Sequence, residues 1–162
     1  MSSIDGKKNL ASTAKLKQEL GVYESAVKNA SDSIYGILIS HLYVEHLLDR
    51  CISCKLVSIK EITGKNGYSF SDKLKLIDAF GEFEGQLIDS LKKLNSIRNN
   101  CAHKFGHTIS EKDVEGLGKT LGKDYRKILK KYPCAEVFGI APITWSICAR
   151  VLSYVAIAEG WK

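Results

Sequence analysis

An arginine stands where the spacing asks for a leucine. Around the stretch LKKLNSIRNNCAHKFGH (residues 91–107), Leu87, Leu91, Leu94, Arg98 and Cys101 recur at steps of four, three, four and three. That is the repeat of one helical face, the face that looks into a protein. A cation there is costly to bury without a partner. Residues 90–110 contain no Asp or Glu, while Lys92, Lys93, Arg98 and Lys104 supply four positive charges. The partner of Arg98 therefore comes from elsewhere in the chain or is an anionic ligand.

Five residues after Arg98 comes His103, at the expected end of the same helix. A fixed guanidinium can hold two phosphate oxygens at once, and an imidazole can move a proton near neutral pH. Asn99, four residues before His103, shares its face and can orient either the ring or a phosphate. Arg98 and His103, by contrast, point about 140° apart around an ideal helix. One regular helix does not aim both at one phosphate. The same residues also admit a purely structural reading: Arg98 in an ion pair with Glu45, and His103 against the negative end of the helix dipole. His41 reads as a satisfied core or interface histidine, and His46 and His107 as solvated ones. Cys51-x-x-Cys54 has half the spacing of a zinc site but lies inside a helix with no second pair. It reads as packing, and neither a metal nor a cofactor is expected.

The elements that must position these groups are helices. Residues 8–29 form a partly amphipathic one, weakened near Gly21, and Ser31 or Asp32 caps the next, which reaches about residue 59. That second helix is apolar most of the way round, as in the middle of a bundle, with Glu45 and His41 on one side of it. After a loop at 63–69, Ser71 caps a short helix that stops at Gly81, and the long motif helix spans 82–103. Ser110 and Asp113 mark another N-cap before a glycine-cut helix at 111–121. Residues 123–132, KDYRKILKKY, make a compact basic helix, and Pro142 opens a final apolar helix closed by Gly160. No alternating strand pattern occurs. The expected fold is one all-α domain over 1–162, a bundle of about five main helices plus short ones. Its core is expected at 31–107 together with the terminal helix at 142–159.

The bulk properties agree with an ordinary globular chain: 162 residues, 44% hydrophobic, formal net charge +6. The positive balance favours polyanions. The five scattered cysteines suit a reducing compartment, and neither a secretory leader nor an apolar run of membrane-spanning length is apparent, so the cytoplasm is expected.

Read as R-N-x-x-A-H, residues 98–103 resemble the signature of the HEPN superfamily, helical bundles marked by an arginine, four to six residues, then a histidine. The segment FSDKLKLIDAF (70–80) is similar to part of the mannitol-operon repressor branch, and the resemblance covers about residues 31–107. It implies an HEPN-like fold and a metal-independent endoribonuclease, used as a toxin or antiviral-defence effector, that cuts RNA through the 2′-hydroxyl. By position Arg98 and His103 are then catalytic, with Asn99 and Glu45 supporting. Lys92, Lys93, Lys104, Lys123, Arg126 and Lys127 are candidates for holding RNA. The resemblance further implies a homodimer with both motifs lining one cleft, and an antitoxin or regulatory protein as partner. Where some toxins carry a tyrosine two residues after the histidine, this chain has Phe105. The mannitol-repressor likeness implies the alternative, a non-catalytic regulator or adaptor that binds a protein or a nucleotide.

Overall fold

The computed structural model describes residues 3–28, 33–56, 67–103, 107–132 and 139–161, with the backbone alone for 3–12 and 26–28. The described residues form seven helices and no strand: α1 (Ser3–Lys28), α2 (Ser33–Lys55), α3 (Phe70–Phe80), α4 (Gly85–His103), α5 (Glu111–Lys119), α6 (Lys123–Lys131) and α7 (Ala141–Ala158). The chain is all-α, as its periodicity predicts, with seven described helices in place of about five main ones.

The bundle is built on α2 and α7, which pack most extensively on each other, with α1 against both and α3 and α4 against α2. Although α2 is apolar most of the way round, it buries one broad face, with Ile37, Val44, Leu47, Leu48 and Ile52 in the same core as Ile143, Ile147, Val151, Leu152 and Val155 of α7, and leaves Tyr35 and Leu42 exposed. α7 is long and apolar enough, by length and composition, to cross a membrane. In this fold it lies against α1, α2, α4 and α6. Where apolar helices are packed this closely, their polar groups need partners. The Tyr23 hydroxyl of α1 meets Ser40 Oγ at 2.7 Å and donates to Thr144 Oγ1 at 3.0 Å, tying α1, α2 and α7 together within the core.

Several helix ends differ from expectation. α1 begins at Ser3 and runs unbroken through Gly21, because Leu16, Leu20 and Tyr23 pack onto the core around it and outweigh a glycine cost of about 1 kcal/mol. The N-cap of α3 is Ser69, not Ser71: its hydroxyl accepts the Asp72 amide, and Gly81 closes the helix at φ 70°. Ser110 and Asp113 form the expected capping box, and a proline sits in the first turn of α7. α2 ends at Lys55, short of the expected residue 59; the caps expected at 31–32 and most of the loop at 63–69 lie outside the described residues.

Two glycines in helices have opposite surroundings. A Cβ on Gly118 would sit 2.2 Å from the Tyr125 ring, whereas one on Gly21 would meet nothing within 4 Å. Gly118→Ala should therefore push Tyr125 off α5 and destabilise the protein by about 1–3 kcal/mol. Gly21→Ala should stabilise it by up to about 1 kcal/mol. Urea unfolding of the two variants beside the parent checks both signs.

Candidate functional site

α4 brings the motif into the bundle as its spacing requires. Leu87, Leu91 and Leu94 are buried, and Arg98 and Cys101 continue their line at the partly buried edge. The helix is regular to its last residue, His103, whose side chain is exposed. Arg98 and His103 therefore keep the divergence of about 140° that a helix dictates, and no direct contact joins them.

The surroundings of Arg98 depart from the ion pair expected with Glu45. Glu45 Oε1 accepts from Lys73 Nζ at 3.0 Å, and the same ammonium reaches Asp49 Oδ2 at 2.9 Å. Burial pulls the Lys73 pKa down, but its hydrogen bonds to Asp49 and Glu45 outweigh that and hold it above the usual lysine range. When α3 docks on α2 it delivers this lysine to the carboxylate, and Arg98 is left without it. Arg98 instead donates from Nη1 to the neutral amide oxygen of Asn99 at 3.1 Å. Among the described residues no carboxylate lies within ion-pair distance of Arg98. Asn99, expected to orient the histidine, holds the arginine.

The contrast with Arg50 is direct. Arg50 grips Glu159 through two bonds of 2.8 Å and also reaches Glu19 at 3.2 Å. The Arg50 hydrogen bond, followed by lesser effects, holds the Glu159 carboxyl down at about 2. Arg50 is the satisfied structural arginine of this fold, and Arg98 is not of that kind.

Beside Arg98 lies a group the motif did not announce. His41 is 3% exposed, stacked on Phe70 with ring centroids 4.2 Å apart, and its Nε2 lies 3.0 Å from Asn95 Oδ1. This fits a neutral ring with the proton on Nε2. Nδ1 then has a lone pair turned toward Glu45 Oε2 at 4.0 Å, acceptor facing acceptor, and it makes no hydrogen bond. Burial first, then the cations Arg98 and Lys73, lower the His41 pKa against the opposing effects of Asn95 and Glu45. Sequence reasoning passed over Lys73 and Asn95. Lys73 does leave a signal, since it occupies a core position of the α3 stripe between Phe70 and Leu74.

The remaining candidates scatter. Lys92 is exposed on α4, Lys93 is partly buried with its stem against Gly116, and Lys104 lies outside the described residues. Lys123, Arg126 and Lys127 are exposed on α6. α6 adjoins the opposite end of α4, near Gln86, on the order of 18 Å along the helix from Arg98. Among the described residues no group of three or more His, Cys, Asp or Glu is placed to hold a metal ion. Cys51 is buried, with its thiol pushed up to about 12 chiefly by that burial, and Cys54 is exposed. Cys51 packs in the core, as expected, and Cys54 does not. Comparison with protein-family models, with curated proteins and with solved structures finds no match to this chain.

The lowered His41 pKa has a defined consequence for stability. The unfolded chain's imidazole titrates near 6.5 and the folded one lower, so the folded state binds the proton less readily. Stability drawn from neutral His41 is complete above that value and is lost as the pH falls through it. Between pH 7.5 and 5.5 the parent should lose more unfolding free energy than His41→Gln, which keeps an amide donor for Asn95. Parallel urea-unfolding curves for the two across that window would remove the assignment.

Proposed function

We propose that this chain is a metal-independent endoribonuclease of the HEPN type, acting in the cytoplasm as a toxin or antiviral-defence effector. The observation that carries the proposal is Arg98, a partly buried guanidinium held by a neutral amide and, among the described residues, by no carboxylate. Such a cation is poised for an anion that the described residues do not supply, and a phosphodiester fits its planar fork.

In the proposed reaction the 2′-hydroxyl of RNA attacks the adjacent phosphorus and the 5′-oxygen leaves, giving a 2′,3′-cyclic phosphate and a 5′-hydroxyl. Arg98 bears the charge that grows on the non-bridging oxygens. His103, exposed at the helix end, takes the proton of the 2′-hydroxyl or returns one to the leaving oxygen. Asn99 keeps the guanidinium in place. Because α4 turns Arg98 and His103 apart, the site takes its arginine from one copy and its histidine from a second across a two-fold axis. Glu45 acts only at a distance, by fixing Lys73 and the α2–α3 junction.

A second reading, a non-catalytic regulator or adaptor of the same fold, draws on Tyr35 and Leu42 of α2, which are 48% and 59% exposed. They lie two helical turns apart on one face and offer an apolar strip to a protein partner.

The test is cleavage of unstructured RNA in EDTA. Arg98→Ala and His103→Ala should each lower the rate by about 100-fold or more. Mixing and re-annealing the two variants in equal amounts should restore activity toward about a quarter of the parent's, because roughly half of the dimers are then mixed and each keeps one of its two sites. Equal cleavage by parent and both variants would mark a contaminant and end the proposal. Cleavage lost in each variant but never restored on mixing would remove the shared cleft.

A further inference from the structure

α6 carries Lys123, Arg126, Lys127, Lys130 and Lys131 within nine residues, against the single acid Asp124. It forms a ridge between two clefts of different character, and the lining residues Asp124 and Lys127 belong to both.

The first cleft, of about 720 Å³, is bounded by Lys119, Lys123, Arg126, Lys127 and Arg150, with Glu84 and Asp124 as its acids. Three of the cations are already paired: Lys119 with Glu115 at 2.8 Å, Lys127 with Asp124 at 2.7 Å, and Arg150 Nη2 with Glu84 at 3.0 Å. Among the described residues Lys123 and Arg126 have no such partner, so the cleft keeps an excess of positive charge. Arg150 lines the same cleft, but its Nη1 is buried and its Nη2 is held by Glu84, so the open cations are Lys123 and Arg126.

The second cleft, of about 820 Å³, is apolar and aromatic, with Trp145 and Tyr132 beside Ile128 and Pro142. Trp145 is 40% exposed and Tyr132 39%, so two large rings stand open to solvent in the same cleft. Trp145 Nε1 donates to Glu24 at 2.9 Å, which steadies the ring. Lys131 Nζ stands 5.4 Å over the Tyr132 ring.

Cations on one flank and open rings on the other are the two halves of a single-strand binding surface, one tracking phosphates and one stacking bases. We propose that α6 is crossed by single-stranded RNA, with phosphates on Lys123 and Arg126 and a base against Trp145 and Tyr132. The choice of RNA as the polyanion rests on the ribonuclease reading; the pairing of charge with aromatic faces does not. α6 is on the order of 18 Å along α4 from Arg98. The strand held there is therefore a stretch remote from the cut, so this surface sets affinity and substrate length and not the chemical step.

Binding separates the two ideas. Fluorescence anisotropy with a labelled twelve-nucleotide unstructured RNA, in EDTA and with Arg98→Ala as host to prevent cleavage, should show salt-dependent binding. Trp145→Ala should weaken it about ten-fold, and Trp145→Phe, which keeps a stacking face, should hold it within about two- to three-fold. Charge reversal at Lys123 and Arg126 together should weaken it further and flatten the salt dependence. A duplex of the same length should bind more weakly than the single strand, and AMP should not compete at millimolar concentration. Full binding by the Trp145 and Lys123/Arg126 variants, equal preference for duplex, or displacement by AMP each overturns the proposal, the last in favour of a mononucleotide pocket. RNA bound but never cut by the parent would remove the nuclease and keep this surface. RNA cut by the parent, with KM unmoved by Trp145→Ala, would do the reverse.

Discussion

The structure depends on burying α2. The face of α2 covered by α1, α3, α4 and α7 has little water for the polar side chains it carries, so every neighbour that covers it must also bring a partner. Each does. Tyr23 comes from α1 and Thr144 from α7 to the neighbourhood of Ser40, Asn95 from α4 to His41, and Lys73 from α3 to Glu45. These polar matches give the helices a register that apolar contact alone would leave loose.

The electrostatics of the candidate site follow from that satisfaction. Glu45 is the carboxylate that a reader of α2 would offer to Arg98, and Lys73 takes it. A buried ammonium between two carboxylates is well served, and the guanidinium is left facing the edge of the bundle with an amide for company. Burial first, with Arg98 and Lys73 behind it, makes a proton on His41 unfavourable, so the ring stays a neutral, stacked part of the core. One ion pair between α2 and α3 thus decides the availability of an arginine. The distribution of arginines repeats the point: Arg50 is locked by two acids, Arg150 is half-satisfied by one, and Arg98 has none among the described residues.

Charge is also divided in space. The motif occupies the C-terminal end of α4, and the basic helix α6 adjoins its other end. An extended polyanion can touch both regions, whereas a small one can touch only one at a time.

The amino-acid sequence by itself was enough for the helices and most of their ends. Apolar residues at helical spacing, the Ser110–Asp113 box, Gly81 and the proline opening α7 act within a few residues of themselves, and such local physics needs no fold to be read. The placing of Arg98 on the core-facing line of α4 and the packing role of Cys51 were legible for the same reason. An α1 unbroken at Gly21 needed more, because tertiary packing outweighed a local preference there, and Ser69 in place of Ser71 was a choice between two nearby serines equally able to cap. Only the tertiary structure decided who partners whom. Glu45 could have met Arg98, Lys73 or His41, and spacing along one helix cannot rank partners that arrive on others. Helix docking brought Lys73 within 3.0 Å of Glu45, and a hydrogen bond at that distance outcompetes any more remote attraction.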